Sequence, residues 1–424
     1  MDFEKLTLLR TGNLGLIMTS QTVSTYANQV IAFVIPWLIL SRTGSAWNAG
    51  TVAFAMGLAS LVGILVGGFI IDRIGGRKVS VIADALSFVT SAALAAALYF
   101  DFLPLWFVTL SQVLGVFFDG PGTIAKNTLV PEAAQQEDIP VVRAMGLQQT
   151  FQNMAMFLGP VSAGLLISMF AEGITLLSAS MLFLGCAFLV FSLKQQRSAQ
   201  HGDMTLQQVR KDMWEAIEFI VQEPFLGPMQ LAGPLYAFVL IPIATIIFPA
   251  WFVFAQRDPN ILGIFLGIQA LGGMMGGVVF AMLAPRVSQR RWLVGSTAGH
   301  AFALACLSFL QPGSTLSFAA GFAVGMMSAG IMAIPYTAFY TRTPERLLGR
   351  VNSLGAASGF LMVSISSPFF GWLVDVHSVR MAILACSVGM GSLSIGTLLL
   401  PFTKLLDEKQ SPDATVKESE MKGA

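Results

Sequence analysis

Long apolar runs, separated by short polar or Pro/Gly-rich breaks, fill most of this 424-residue chain. Each run is about 20 to 28 residues long, which is the length that an α-helix needs to cross a bilayer. The pattern therefore predicts an all-α polytopic membrane protein with twelve transmembrane helices. The predicted helices cover residues 13–40, 48–71, 79–99, 103–128, 145–170, 173–194, 229–254, 260–284, 291–310, 314–339, 350–375 and 378–402.

The longest polar interruption, about 195–228, divides these helices into two sets of six. Apolar residues recur there at spacings of three and four from Leu206 to Ile220, which predicts an amphipathic helix that packs against the bundle or the lipid headgroups. The tail is charged and has no periodicity, so it is expected to be disordered. The predicted domains are an N-terminal six-helix bundle (1–194), a cytoplasmic linker (195–228), a C-terminal six-helix bundle (229–402) and the tail (403–424).

Composition excludes several classes of protein. Charged residues make up 11% of the chain, against roughly 25% in a soluble domain, so an ordinary soluble enzyme is excluded. The net charge of +1 excludes nucleic-acid binding by bulk electrostatics. The three cysteines each lie in an apolar run, and neither metal-ligand spacing nor a nucleotide-binding loop occurs, so no disulfide, metal or cofactor is expected.

Basic residues are distributed very unevenly over the predicted connections. Arg42, Arg257 and Arg380 fall on one side of the membrane, and the other 21 are assigned to the opposite side. Lys and Arg accumulate on the cytoplasmic side, so both termini are expected in the cytoplasm. The first apolar run continues to Leu40 without a cleavage site, so it predicts a membrane helix and not a signal peptide.

The two sets of helices repeat a pattern of Pro, Pro-Glu, Arg, Leu and Gly. From the Arg onward the spacings are the same in both copies, while the preceding loop differs in length. The copies consist of Pro121, Pro131-Glu132, Arg143, Leu147 and Gly164, and of Pro335, Pro344-Glu345, Arg350, Leu354 and Gly371. Parallel repeats of six helices are found in transporters with a central substrate cavity.

The run from Gly68 to Lys78 between the second and third helices is similar to the signature loop of the major facilitator superfamily. The resemblance covers about residues 12 to 400, and it implies two six-helix bundles that alternate between inward-open and outward-open states. In that family the loop latches one conformation. The resemblance carries this role to Gly68, Asp72, Arg73, Gly75 and Arg77, with the neighbouring Asp84 expected to pair with Arg77.

The fifth helix contains a run of small residues around a proline that resembles the antiporter motif of proton-coupled drug exporters. The matching positions are Ala155, Gly159, Pro160, Ala163 and Gly164. Small residues allow close helix packing, and the proline bends the helix. Further runs at 36–37, 43–45, 83–84 and 349–354 resemble the branch that includes macrolide-efflux pumps and the enterobactin exporter. Relatives often have Asp where this chain has Asn28, and Ser111 replaces an Arg of the drug exporters.

Asp84 and Asp119 are the acids that fall inside the predicted hydrocarbon region. Asp119 lies near the middle of an inner helix beside Gly120 and Pro121. A buried carboxylate is costly when it is charged, so Asp119 is the candidate proton-coupling residue, with a structural acid as the alternative. His300 lies on a predicted outer helix and is expected to be passive.

Polar residues on inner helices are candidates for the wall of a substrate cavity, although each could instead bond helices together. With 33 Phe and 21 Met available, and no basic residue expected in the core, the cavity suits a large hydrophobic or amphipathic molecule. The candidates are Gln21, Ser24, Asn28, Gln148, Gln149, Gln152, Asn153, Gln269, Tyr336 and Tyr340.

Together these features predict a transporter of the cytoplasmic membrane, not an enzyme, and the resemblance to the family implies a monomer. It is expected to export a hydrophobic or amphipathic compound, such as a drug or a siderophore, by alternating access and in exchange for protons. A lipid flippase of the same fold and a receptor or scaffold that moves nothing are the alternatives.

Overall fold

The computed structural model describes residues 12–193, 206–284, 286–400, 403 and 406. Within these ranges the secondary structure is helical, and the tail prediction for 403–424 falls almost wholly outside them. The helices are α1 Asn13–Thr43, α2 Ala46–Ile74, α3 Gly76–Tyr99, α4 Leu105–Gln136, α5 (141–170) and α6 (172–191) within Val141–Phe191, α7 Leu206–Gln222, α8 Leu226–Phe254, α9 Pro259–Leu283, α10 Gln289–Leu307, α11 Thr315–Arg342, α12 Glu345–Val376 and α13 Val379–Leu399.

In the described part of the chain, nine helices are long and apolar enough to cross a membrane. One of them, Val141–Phe191, is broken at Ala171, whose φ of 70° and ψ of 169° are not helical, so it doubles back as α5 and α6. Helices α4 and α10 are long but fall outside the nine. The protein is an all-α polytopic membrane protein, as predicted. We call α1–α6 the N-terminal half and α8–α13 the C-terminal half.

The halves meet along two helix pairs, α2 with α12 and α5 with α9. Gly50 of α2 abuts the backbone of Ser367 and Pro368, and Gly164 of α5 abuts the backbone of Pro259 and Gly263. Glycines at these positions allow the backbones to approach because there is no Cβ in the way. These contacts lie at the end of the bundle that carries the α1–α2, α5–α6, α8–α9 and α12–α13 turns, which we call the closed face.

Toward the opposite end the halves separate. From Gly63 onward, α2 approaches Phe117 and Pro121 of α4, in its own half, instead of α12. The Tyr336 and Tyr340 side chains of α11 are 59% and 42% exposed near this end, which we call the open face. The molecule therefore encloses a space that is shut at the closed face and accessible from the open face.

Arginines cap the last helix of each half at the open face. Arg77 Nε donates to the Val190 carbonyl at 3.3 Å, and its guanidinium also contacts the Phe191 carbonyl. In the second half, Arg290 contacts the Leu398 carbonyl. Cations are favourable at helix C-termini, where carbonyls lack intrahelical partners. The expected pairing of Arg77 with Asp84 is wrong, since Arg77 is used to cap α6.

The linker helix α7 packs on the C-terminal half. Ala216 and Ile220 are buried against Leu347 and Val351 of α12. Glu215 of α7 forms an ion pair with Arg346, and a second one, at 3.6 Å, with Arg350. The predicted amphipathic helix is therefore present, and one apolar face is covered by the bundle. Ile217, on the predicted stripe, remains 37% exposed.

Candidate functional site

A buried ion pair lies in the core of the N-terminal half. Lys126 Nζ of α4 is 2.8 Å from both carboxylate oxygens of Asp84 of α3, and the two side chains are 2% and 4% exposed. Ser24 Oγ of α1 donates to Asp84 Oδ1 at 3.1 Å. A buried charge is tolerated when it is paired and hydrogen-bonded, so these three residues hold α1, α3 and α4 together.

Lys126 corrects the expectation that the core has no basic residue. The sequence pattern ended the fourth helix at residue 128, which would place Lys126 in its last turn at the membrane surface. The helix instead continues to Gln136, so Lys126 lies inside the bundle. Its position seven residues after Asp119, two helical turns along the same face, was the available sequence signal.

Asp119 lies on α4 beside this ion pair. Asn28 Nδ2 of α1 donates to Asp119 Oδ1 at 2.8 Å. Lys126 follows Asp119 by seven residues, two turns along the same face of α4, and it also pairs with Asp84, so one cation lies near both carboxylates. One cation and two acids carry a net charge of −1 when both acids are ionised, and they are neutral when one acid is protonated. Adding one proton therefore removes the net charge of this group.

Asp119 is half-buried and opens onto a pocket of about 200 Å³, which we call the acid pocket. This pocket lies within the N-terminal half. Hydroxyl and amide groups line this pocket together with the carboxylate, so a proton or a polar ligand group that enters would find hydrogen-bond partners. The polar lining residues are Asn28, Ser87, Thr90, Ser91, Gln112 and Asp119.

A second pocket of about 300 Å³ lies between the two halves, and we call it the amide pocket. Its polar lining consists of uncharged side chains, namely Gln29, Thr245, Gln269 and Ser328. The rest is apolar and includes Phe33, Pro160 and Leu266. An apolar wall with a few hydrogen-bonding groups is the usual composition of a small-molecule site.

A third pocket of about 180 Å³, the apolar pocket, lies against the α2–α12 contact. Val52, Met56 and Phe360 are among its lining residues. Ala32 of α1 lines all three pockets, and Thr245 lines both the amide and the apolar pockets. One molecule at Ala32 could therefore contact a carboxylate, neutral hydrogen-bonding groups and an apolar wall.

The α8 segment that carries Thr245 departs from α-helical geometry. Residues Ile243–Ile247 form a π-helical turn, in which the Phe248 N–H donates to the Ile243 carbonyl. Pro249, four residues after Thr245, has no N–H to give to the Thr245 carbonyl. Such single π turns are frequent at functional sites because they re-aim side chains and backbone groups. Here the turn lies at the junction of two pockets.

The structure divides the predicted cavity residues into three groups. Asn28 and Gln269 line pockets. Several others bond helices or neighbouring side chains: Ser24 to Asp84, Gln148 Nε2 to Asn127 at 2.8 Å, Gln149 Nε2 to Asn153 at 3.0 Å, and the Tyr336 hydroxyl to that of Tyr340 at 3.0 Å. Gln21 is buried in α1, and Gln152 is partly buried in α5.

Sequence reasoning missed Gln29, Ala32, Gln112 and Thr245. Gln29 and Ala32 follow Asn28 by one and four residues on the same inner helix, so the helical period could have suggested Ala32, but a small apolar residue gives no chemical signal. Gly159 of the motif in α5 lies against the Gln29 side chain, and Gly164 and Pro160 face Gly263 of α9. The small residues of that motif therefore form the wall between α1, α5 and α9.

The loop between α2 and α3 is present as a tight turn at Gly75, with φ of 87°. The surroundings of Gly68 and the side chain of Asp72 lie outside the described part of the structure. Arg73 is exposed and belongs to the last turn of α2. Among the described residues, no group of three or more His, Cys, Asp or Glu side chains could hold a metal ion.

Comparisons with known proteins agree with this architecture. The profile of the Major Facilitator Superfamily matches residues 17–367. The multidrug efflux pump Tap of Mycolicibacterium fortuitum is 27% identical over 416 residues, which cover 96% of this chain and all of that protein. The enterobactin exporter EntS of Escherichia coli O1:K1 / APEC is 24% identical over 384 residues, which cover 91% of this chain and 90% of that protein.

Solved transporters share the fold at low sequence identity. The crystal structure of the nucleoside transporter NupG superposes with a TM-score of 0.75 at 12% identity, covering 91% of this chain and 98% of that one. The crystal structure of a D-xylose-proton symporter superposes with a TM-score of 0.71 at 14% identity, covering 92% and 98%. At these identities the likeness concerns the fold alone.

Proposed function

Because the chain belongs to the Major Facilitator Superfamily and is therefore a multi-pass membrane transporter and not an enzyme, we propose that it exports an amphipathic small molecule in exchange for protons. The observation that carries this proposal is Asp119, a carboxylate held by Asn28 that opens onto a pocket adjoining the neutral site between the halves. The names of the relatives Tap and EntS support the direction of transport, since both are described as exporting compounds.

The pockets support a substrate of mixed character. The amide pocket offers hydrogen bonds without charge, the apolar pocket offers hydrocarbon contact, and the acid pocket offers one carboxylate. A molecule with an apolar body and a polar or cationic group would use all three from a position beside Ala32. Protonation of Asp119 would remove the charge that holds a cationic group, so proton and substrate would compete for the same carboxylate.

The distribution of basic residues supports an orientation. Arg42, Arg257 and Arg380 lie at or beside turns of the closed face. Loops rich in Lys and Arg lie on the cytoplasmic side of membrane proteins, so the closed face would be extracellular and both termini cytoplasmic, in a bacterial inner membrane. The structure would then represent an inward-open state that is ready to load substrate from the cytoplasm.

Transport by the purified protein in proteoliposomes tests the proposal. A panel of amphipathic drugs and siderophores is offered with and without an imposed pH gradient, and labelled phospholipid is offered in parallel. Gradient-driven movement of a panel compound supports the proposal. Movement of lipid without dependence on the pH gradient would identify a flippase, and ligand binding without flux would identify a receptor; both outcomes would overturn it.

Filling the junction of the pockets should block transport. Ala32 is exposed to the cavity, so Ala32→Phe would place a ring there without displacing the packed core. We expect efflux of large substrates to fall by about tenfold or more while expression and thermal stability stay unchanged. Ala32→Ser is the matched control, since it adds one atom and should transport nearly as well as the unchanged protein. Equal flux through both variants would mean that substrate does not pass Ala32.

The loop between α2 and α3 is proposed to latch the opposite conformation. Arg77 contacts α6 of its own half in this state, and Asp72 would engage the second half when the open face closes. Asp72→Asn should therefore shift the protein toward the inward-open state and slow transport while membrane insertion is retained. Accessibility of single cysteines on the two faces measures the shift, with Lys78→Gln in the first turn of α3 as control. Unchanged accessibility and normal flux in Asp72→Asn would refute the latch.

A further inference from the structure

Three hydrogen bonds to one carboxylate join the two halves at the closed face. Asp375, in the last turn of α12, accepts from Ser45 Oγ at 2.6 Å, from the Ala46 N–H at 2.7 Å and from the Trp47 N–H at 3.0 Å. The donors are the N-cap residue and the first two residues of α2. The N–H groups at a helix N-terminus lack intrahelical acceptors and attract negative charge, so this contact links α12 to α2 firmly.

The other pair of helices at this face has a related contact. Asp258 is the N-cap residue of α9, and its Oδ1 accepts from the Asn260 N–H at 2.8 Å. Its Oδ2 accepts from Ser168 Oγ of α5 at 3.3 Å. One carboxylate oxygen thus serves its own helix, and the other reaches the opposite half.

The sequence repeat relates these two contacts. Ser168 and Asp375 each lie four residues after the matched glycines Gly164 and Gly371. Ser45 and Asp258 are each the N-cap of the second helix of their half. Both contacts therefore consist of a hydroxyl, a carboxylate and a helix N-terminus. At α9 the carboxylate, Asp258, belongs to the capped helix itself, whereas at α2 the carboxylate, Asp375, belongs to the opposing helix α12.

The backbones below these contacts leave little room for adjustment. Gly371 lies against the backbone of Ala46 and Trp47, and Gly164 lies against that of Pro259 and Asn260. Helices that touch at glycine backbones separate as rigid units and do not slide past side chains. Opening this face must therefore break the hydrogen bonds that cross it.

We propose that Asp375 and Asp258 form a paired outer lock, which keeps the closed face shut and sets the balance between the two end states of transport. The proposal rests on the transport function proposed above. The two members are unequal. Opening the face costs Asp375 all three of its bonds to α2, whereas Asp258 loses its bond to Ser168 and keeps the one to its own helix. Asp375 is therefore the dominant member.

The distance across the closed face tests this lock directly. Spin labels are placed at Tyr99 and Gln311, which are exposed residues near this face in opposite halves, after the three native cysteines have been replaced by serine. In the purified full-length chain, without substrate or pH gradient, we expect the unchanged lock to give one distance, which is shorter than the distance in the open state. Asp375→Ala should raise the ratio of open to closed populations by about tenfold or more, and Asp258→Ala should raise it less.

Two further variants separate a lock from a general loss of charge or of folding. Asp101→Ala is the matched control, because Asp101 lies at the same face, its side chain is 90% exposed and it pairs with Arg42 of its own half. The exchange variant Ser45→Asp with Asp375→Ser rebuilds at α2 and α12 the arrangement seen at α9 and α5. We expect it to restore most of the closed population that Asp375→Ala loses.

The lock would be overturned if Asp375→Ala left the distance distribution unchanged, or if Asp101→Ala opened the face as much. An exchange variant as open as Asp375→Ala would also overturn it, because rebuilding the hydrogen-bonded contact would then not restore the closed face. The distance measurement needs no transport. Absence of flux in the unchanged protein would therefore overturn the proposed function, while a change of distance would still report the lock.

Discussion

Asp119→Asn is expected to abolish efflux driven by a proton gradient, to weaken the binding of cationic substrates and to leave the binding of uncharged ones largely intact. Asparagine can still bond to Asn28 but cannot take up or release a proton, so the charge of the group around Lys126 no longer changes during transport. A tenfold change in the ratio of two conformations corresponds to about 1.4 kcal/mol. The free energy that is lost when this buried carboxylate can no longer be protonated is of at least this size. Uptake and efflux in proteoliposomes at several imposed pH gradients measure the effect.

The conservative variant Asp119→Glu controls for simple damage to the pocket. It keeps a titratable carboxyl group and should retain part of the gradient dependence, whereas Asp119→Asn should retain downhill exchange of substrate at most. If Asp119→Asn pumps at the unchanged rate with the same pH dependence, Asp119 is a structural acid. Proton coupling would then have to reside elsewhere in the chain.

Among the single substitutions named above, Lys126→Met should lower the free energy of unfolding most. It removes the cation but leaves Asp84 in a core where its side chain is 4% exposed. An uncompensated buried charge costs about 3 to 5 kcal/mol, so the variant should unfold at a clearly lower temperature and express poorly. Thermal unfolding in detergent, followed by the fluorescence of the seven tryptophans, measures the loss.

The double variant Asp84→Asn with Lys126→Met separates loss of the pair from loss of packing. Both charges are then absent, and the amide oxygen of the introduced asparagine can still accept the hydrogen bond that Ser24 donates to Asp84. Replacing a whole buried ion pair by uncharged groups is often nearly neutral, so the double variant should recover most of the stability. A double variant as unstable as Lys126→Met would show that the charge of Asp84 is not the cause.

The helices could be located from the sequence because the signal for them is local. An apolar run of bilayer length is helical wherever it crosses a membrane, since every backbone polar group must be satisfied within the segment. The runs at 13–40 and 260–284, for example, correspond to Asn13–Thr43 and Pro259–Leu283. The repeat after Arg143 and Arg350 and the loop from Gly68 to Lys78 likewise identified the superfamily, which the profile match to residues 17–367 confirms.

Helix ends and side-chain partners were less accessible to this reasoning. Polar residues are common in both the last turn of a membrane helix and the following loop, so composition did not show that α4 continues to Gln136. That single misplaced boundary hid Lys126 and led to the wrong partner for Asp84. Asp119 was found because an acid in the middle of an apolar run is costly wherever the helix packs.

What the sequence by itself determined is therefore the order and approximate positions of the helices, their two-fold repetition and the acid inside the fourth helix. Only the tertiary structure decided that Ala32 lines three pockets, that Lys126 neutralises Asp84 and that Asp375 caps a helix 330 residues earlier in the chain. The reason is physical. Hydrophobic periodicity fixes each helix alone, whereas a pocket or an ion pair depends on how helices rotate and approach one another, and small residues distant in sequence set that packing.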